Sequence, residues 1–135
     1  MSGKCLVVYY SKTGNTKAVA EAIAKRMGGD ICEVSEQGVV QSGFDLSGYG
    51  LFVVGTPVNG FSTSLPIQGF LKKNAAKFQK VAFFATYSLY PAGTFSGMEK
   101  LAGKKPVVIE KFKSGDIKLG KIDAKVEGFV SALKE

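Results

Sequence analysis

Short apolar runs alternate with helical patterns along the whole chain, and this alternation restricts the possible folds more than any other feature. The first run, residues 6–10, is rich in β-branched and aromatic residues, as is typical of a strand covered on both faces. In residues 13–27, apolar side chains recur at four-residue spacing, which indicates an amphipathic helix. The repeated order of strand and helix predicts an α/β fold built on a parallel sheet.

The remaining elements follow from the same patterns. Four further strands are predicted at residues 31–34, 49–55, 81–85 and 106–109. Three further helices are predicted at residues 65–74, 95–101 and 121–134. With right-handed crossovers these elements make a doubly wound, three-layer sandwich, in which ligands bind at the carboxyl ends of the strands. We expect one domain that covers residues 1–135.

The sequence contains no histidine, and its two cysteines, Cys5 and Cys32, are far apart. The absence of histidine excludes catalytic sites built on Ser-His-Asp or Cys-His pairs and removes the commonest zinc ligand. Two distant cysteines form neither a zinc site nor a C-x-x-C redox pair, so we expect buried, reduced strand residues in a cytoplasmic protein. The apolar run after Lys4 is too short for a signal peptide or a membrane span, so we expect no export.

Basic residues outnumber acidic ones, since 18 Lys and Arg against 11 Asp and Glu give a formal net charge of +7. Such an excess favours acidic partners or anionic ligands. The basic residues are spread along the chain, and neither an RNA-binding signature nor a zinc finger accompanies them. We therefore do not expect nucleic-acid binding.

The segment after the first predicted strand has the composition of an anion-binding loop. It reads Ser11, Lys12, Thr13, Gly14, Asn15 and Thr16, and a predicted helix follows at once. A phosphate at this position would meet free backbone N–H groups, the positive end of the helix dipole and three hydroxyl donors. The alternative is a helix N-cap without a ligand, which needs only one such side chain.

The sequence also limits which phosphate-containing ligands the protein could bind. No G-x-G-x-x-G follows the first predicted strand, which argues against a dinucleotide pyrophosphate at this position. Residues 115–122 have the glycine spacing of a Walker A motif, but Ile122 stands where a Mg²⁺-binding hydroxyl is required. We expect residues 115–122 to be a turn before the last helix.

Two further loops are expected at the same edge of the sheet, at residues 56–63 and 86–93. Neither contains a charged residue. Aromatic residues, Pro, Gly and small hydroxyl residues suit a flat, mostly neutral ring system. The alternative is a hydrophobic loop that packs on the core.

Residues 11–16 closely resemble the S/T-x-T-G-N-T phosphate loop of flavodoxins, and residues 53–58 resemble the third strand of that family and the loop after it. The resemblance extends over essentially the whole chain. It implies a short-chain flavodoxin-like domain with sheet order 2-1-3-4-5 and bound FMN.

The resemblance also implies which residues contact FMN. The phosphate would bind at residues 11–16, with Lys12 pointing outward, and the ring would lie between residues 56–61 and 86–90. The residues implied to contact FMN are Ser11, Lys12, Thr13, Gly14, Asn15, Thr16, Thr56, Pro57, Val58, Asn59, Gly60, Phe61, Thr86, Tyr87, Ser88 and Tyr90. No catalytic residue and no metal ligand is predicted.

Two features depart from the family. Flavodoxins that carry electrons are usually acidic, whereas this chain has a net charge of +7, and it contains no Trp to cover the ring. The resemblance implies an FMN-binding electron-transfer protein whose redox partners carry acidic docking surfaces. Two alternatives stay open, namely an FMN-dependent NAD(P)H or quinone oxidoreductase of the same superfamily and a flavin-free binding module on the same fold.

Overall fold

The computed structural model describes residues 4–40, 45–59, 62–88 and 93–134. The strands in these ranges are β1 Cys5–Tyr9, β2 Asp30–Glu33, β3 Leu51–Asn59, β4 Ser62–Thr63, β5 Lys80–Tyr87 and β6 Ile109–Lys113. The helices are α1 Asn15–Met27, α2 Leu65–Asn74, α3 Thr94–Ala102, α4 Ser114–Lys118 and α5 Asp123–Lys134, with 3-10 turns at Leu46–Gly48 and Ala75–Lys77.

Five of the strands form a parallel sheet in the order β2-β1-β3-β5-β6. Strand β3 lies at the centre, where Val53 is paired with Val7 of β1 on one side and with Ala82 of β5 on the other. The short strand β4 pairs with the end of β3 in an antiparallel hairpin. This order confirms the predicted 2-1-3-4-5 topology, in which β5 and β6 are the fourth and fifth strands.

Helices cover both faces of the sheet. Helices α1 and α5 pack on the face to which Val7 points, whereas α2 and α3 pack on the face to which Leu6 and Val8 point. Alternate residues of β1 therefore enter opposite cores, as the pleat of a strand requires. The predicted three-layer sandwich is confirmed.

The bounds of the four predicted helices, α1, α2, α3 and α5, agree with the predictions to within two residues at each end. Helix α1 lies between Gly14 and Gly28, whose φ angles of +95° and +63° are in the left-handed region that glycine adopts without a steric penalty. Helix α2 begins directly after Ser64 and carries Pro66 in its first turn, where proline is tolerated. No helix in the described ranges is long and apolar enough to cross a membrane.

Strands β3 and β5 are longer than predicted. Residues 56–59 were expected in a loop, but they continue β3, because Val58 and Asn59 pair with Thr63 and Ser62 of β4. Residues 86–87 likewise belong to β5, because they pair with β6. Both predicted loops are therefore shorter than expected, and the strands carry their residues directly to the edge of the sheet.

The strand predicted at 106–109 is wrong in its position, since β6 runs from Ile109 to Lys113. The reason is that β6 is an edge strand in which only Phe112 is buried, whereas the apolar residues Val107 and Ile109 are 54% and 48% exposed. The distribution of apolar residues therefore does not predict the position of β6. The turn predicted at 115–122 is wrong in its first part, because residues 115–118 belong to helix α4.

Both cysteines lie in buried positions of the sheet, as predicted. Cys5 belongs to the core under α1 and α5, whereas Cys32 belongs to the core on the opposite face. Burial, assisted by the nearby Asp30 carboxylate, raises the pKa of the Cys5 thiol to about 11.

Candidate functional site

The carboxyl ends of β1, β3 and β5 lie side by side at one edge of the sheet, because these strands are parallel neighbours. A cleft of about 230 Å³ opens at this edge. It is lined by Lys12, Thr13, Asn15, Pro57, Val58, Thr86, Tyr87, Ser88, Ser114 and Lys118. The cleft is therefore where a doubly wound fold binds its ligands.

The loop between β1 and α1 is held in shape by Ser11. Its Oγ accepts hydrogen bonds from the backbone N–H groups of Gly14, at 3.0 Å, and of Lys17, at 3.2 Å. A Cβ atom added at Gly14 would meet nothing within 4 Å, so the space beside the loop is open. Ser11 therefore shapes the loop as a capping acceptor, and the left-handed Gly14 turns the chain into the helix.

The first turn of α1 presents unused donors to this open space. Within the part of the chain that the structure describes, the backbone N–H groups of Thr13, Asn15 and Thr16 meet no hydrogen-bond acceptor. Such groups are the orphan donors of a helix start, and together they carry the positive end of the helix dipole. This geometry can bind an anion through main-chain atoms alone.

The Thr16 side chain connects the loop to the sheet. Thr16 is only 1% exposed, and its Oγ1 lies 2.8 Å from Oγ1 of Thr86 at the end of β5. A threonine hydroxyl donates one hydrogen bond and accepts two, so this contact leaves Thr16 with further capacity. The predicted contact between Thr16 and a phosphate stays a prediction.

Thr56 stabilises the β3–β4 hairpin from inside. Its Oγ1 accepts a hydrogen bond from the Ser64 N–H at 3.0 Å, and it lies 2.9 Å from Oγ of Ser64 and 2.8 Å from the Pro57 carbonyl. These contacts tie the end of β3 to the start of α2. Pro57 and Val58, the next two residues of β3, line the cleft.

Helix α4 forms a wall of the cleft that the sequence did not predict. The Ser114 hydroxyl donates to the Tyr87 carbonyl at 3.0 Å and lies 3.3 Å from the Ser88 hydroxyl. Lys118 follows four residues later, on the same face of the helix. No usable signal for this wall is present in the sequence, because the last strand was predicted at 106–109 and a helix of five residues is too short to show helical periodicity.

The sequence also matches a known protein family. The family described as flavodoxin domain matches residues 6–135 of the sequence. This chain belongs to the flavodoxin domain family. A comparison with curated proteins finds no significant match.

Solved structures share the fold of this flavodoxin domain. A flavoprotein in complex with FMN from Lactobacillus acidophilus NCFM is 22% identical, with a TM-score of 0.73 over 95% of this chain and 99% of that chain. A WrbA-like flavodoxin from Agrobacterium tumefaciens is 18% identical, with a TM-score of 0.67 over 96% and 98%. A flavodoxin from the domain Archaea is 22% identical, with a TM-score of 0.63 over 98% and 99%.

Most of the predicted site residues of this flavodoxin domain lie at the cleft. Those that line it are Lys12, Thr13, Asn15, Pro57, Val58, Thr86, Tyr87 and Ser88. Four others do not line the cleft but shape the segments around it, namely Ser11, Gly14, Thr16 and Thr56. Asn59 ends β3, whereas Gly60, Phe61 and Tyr90 lie outside the described residues. The contact of each with a cofactor stays a prediction.

The charge in the cleft is positive. Lys12 and Lys118 line it, and none of its described lining residues is acidic. Within the same described ranges, no group of three Cys, Asp or Glu side chains could hold a metal ion. Within its described residues, the flavodoxin domain thus combines free N–H donors, two cations and the uncharged side chains of Pro57, Val58 and Tyr87 in one cleft.

Proposed function

We propose that this chain binds FMN in the cleft and transfers electrons between redox partners. The observation that carries the proposal is the set of N–H groups at Thr13, Asn15 and Thr16 that no described residue accepts from, beside the uncharged Pro57, Val58 and Tyr87. Membership in the flavodoxin domain family supports it, as does the likeness to a flavoprotein that is described in complex with FMN. When bound, FMN supplies the redox chemistry by accepting and releasing electrons.

The first test of this proposal is whether the residues suit the cofactor. A phosphate monoester needs several donors in a concave loop, and the start of α1 offers them with the open face at Gly14. A planar ring needs walls that are apolar or neutral, and Pro57, Val58 and Tyr87 provide them. Both requirements are met by the residues present.

The residues of the cleft also suit a carrier better than a self-sufficient enzyme. Its described lining holds no carboxylate, thiol or imidazole that would act as a general acid or base for a substrate. The protein would orient the ring and exclude water, while the net charge of +7 would favour partners with acidic docking surfaces. We expect the protein to act in the cytoplasm, where its two buried cysteines would stay reduced.

The decisive experiment is a titration of the purified protein with FMN, followed by the visible spectrum and by quenching of flavin fluorescence. We expect tight binding at one FMN per chain. The absence of binding would favour a flavin-free binding module on the same fold. Steady oxidation of NADPH, or turnover of a quinone by the protein alone, would favour an oxidoreductase over a carrier.

A substitution at Thr13 tests the phosphate site. Thr13 is exposed and lines the cleft, so Thr13→Asp brings a carboxylate next to the phosphate without disturbing the core. We expect the affinity for FMN to fall about tenfold or more through charge repulsion, with little change for riboflavin, which has no phosphate. Thr13→Asn is the neutral control, and equal loss with both variants would contradict a phosphate at this loop.

A further inference from the structure

We infer that Lys118 of α4 and Lys12 of the β1–α1 loop form a cationic clamp that binds the phosphate of the cofactor. The inference rests on the proposed function, and it adds to the neutral donors of the loop a binding residue from a distant part of the chain. It also gives a role to part of the excess positive charge.

The position of α4 brings Lys118 to the cleft. The hydrogen bond from Ser114 to the Tyr87 carbonyl, at 3.0 Å, fixes the start of the helix against the end of β5. Helix α4 also packs against α1, whose first turn holds the unused N–H groups. Because residues four apart share a helix face, the helix that presents Ser114 to the cleft presents Lys118 to it as well.

Lys12 approaches the same space from the loop. It is exposed, as the family resemblance implies, but it also lines the cleft together with Thr13 and Asn15. The cleft thus receives one cation from the loop after β1 and one from the helix after β6. The two lysines are far apart in the sequence, and the fold brings both to the cleft.

Within the described residues, neither lysine forms an ion pair. The ion pairs within the described ranges are Arg26 with Asp123 and Lys125 with Glu110, and the described lining of the cleft contains no carboxylate. A phosphate monoester carries a charge of about −1.5 to −2 near neutral pH, which two lysines would balance. An anion at the start of α1 is therefore the group that these cations match.

The clamp makes a prediction that neutral donors alone do not. Binding through N–H groups and hydroxyls depends little on ionic strength, whereas attraction between exposed charges is screened by salt. The net charge of +7 contributes some salt dependence to FMN binding in any case. The clamp predicts in addition that a large share of this salt dependence is lost when Lys118 or Lys12 is replaced, whereas the affinity for riboflavin should change little.

The experiment measures FMN and riboflavin dissociation constants for the folded, flavin-free protein at low and high salt. The variants are Lys118→Gln, Lys12→Gln, the double variant, and Lys118→Arg, which keeps the charge. Lys72→Gln is the matched control, because Lys72 is an exposed lysine near the end of α2 and outside the cleft lining. Inorganic phosphate serves as a second probe, through its competition with FMN.

We expect about a three- to tenfold loss of FMN affinity for each lysine removed, measured at low salt. The loss should shrink at high salt, riboflavin binding should be unchanged, and Lys118→Arg and Lys72→Gln should resemble the original protein. Weaker competition by inorganic phosphate in Lys118→Gln would support the clamp further.

Three results would separate the inference from the proposed function. If the original protein binds FMN but Lys118→Gln binds it equally well at low salt, the clamp is wrong and the proposed function stands. If Lys118→Gln changes only the rate of reduction by a protein partner, Lys118 belongs to a docking surface and the clamp is also wrong. If the original protein binds no FMN, the proposed function itself fails.

Discussion

The two walls of the cleft are attached to the fold in different ways. The loop wall, residues 11–16, is anchored by the buried hydroxyl pair of Thr16 and Thr86 and by the two hydrogen bonds that Ser11 accepts. The helix wall, α4, packs on the core through the partly buried Ile117 and against α1, and its side-chain hydrogen bonds, both from Ser114, lie at partly buried or exposed positions. A buried polar group that loses its partner costs more free energy than an exposed one. The buried hydroxyl pair therefore couples the loop wall to the core, whereas the polar contacts of the helix wall can be lost with little effect on folding.

The largest expected effect on stability comes from the buried hydroxyl pair. Thr16→Val or Thr86→Val leaves the other hydroxyl without its partner in a buried site, so each should lower the free energy of unfolding by about 1–3 kcal/mol. The double variant should cost less than the sum, because it removes both polar groups. Urea unfolding of all four proteins measures this coupling, and strict additivity would show that the pair does not anchor the loop wall.

Loss of the Ser11 cap should have a smaller effect. Ser11→Ala removes the acceptor of two N–H groups at the start of α1, and we expect a decrease of about 1 kcal/mol in the free energy of unfolding. Ser11→Thr, which keeps a hydroxyl, is the control. A melting temperature unchanged by Ser11→Ala would mean that water replaces the cap at no cost.

The smallest effect on stability is expected at the helix wall. Ser114→Ala should change the free energy of unfolding by less than about 0.5 kcal/mol, because the lost hydrogen bonds are near the surface. It should still weaken FMN binding by about twofold, since α4 would hold Lys118 less firmly. A loss of stability as large as that of Thr16→Val would remove the distinction between the two walls.

The parts of the fold that rest on local patterns are predictable from the sequence. Helix α2 begins and ends as predicted, and β1 is recognised as a strand buried on both faces because all of its residues are apolar or aromatic. The loop at residues 11–16 is recognised because its hydroxyl, amide and glycine residues are consecutive. Each of these signals is contained in one short stretch of sequence.

The parts that depend on distant pairing are not predictable in this way. Strand β6 buries only Phe112, so its place in the sheet is decided by its hydrogen bonds to β5 rather than by its composition. Helix α4 has only five residues, too few to show helical periodicity, so the position of Lys118 at the cleft has no local signal. The contact between Thr16 and Thr86 joins residues 70 positions apart.

The burial of both cysteines has a practical consequence for labelling. Cys5 and Cys32 are 7% and 3% exposed, and the Cys5 thiol is in addition kept protonated by its pKa of about 11. Thiol reagents attack the exposed thiolate, so the folded protein should react slowly with them at neutral pH. A cysteine introduced at an exposed position of α4 would then be the preferred attachment point for a fluorescent or spin probe, without prior removal of the native cysteines.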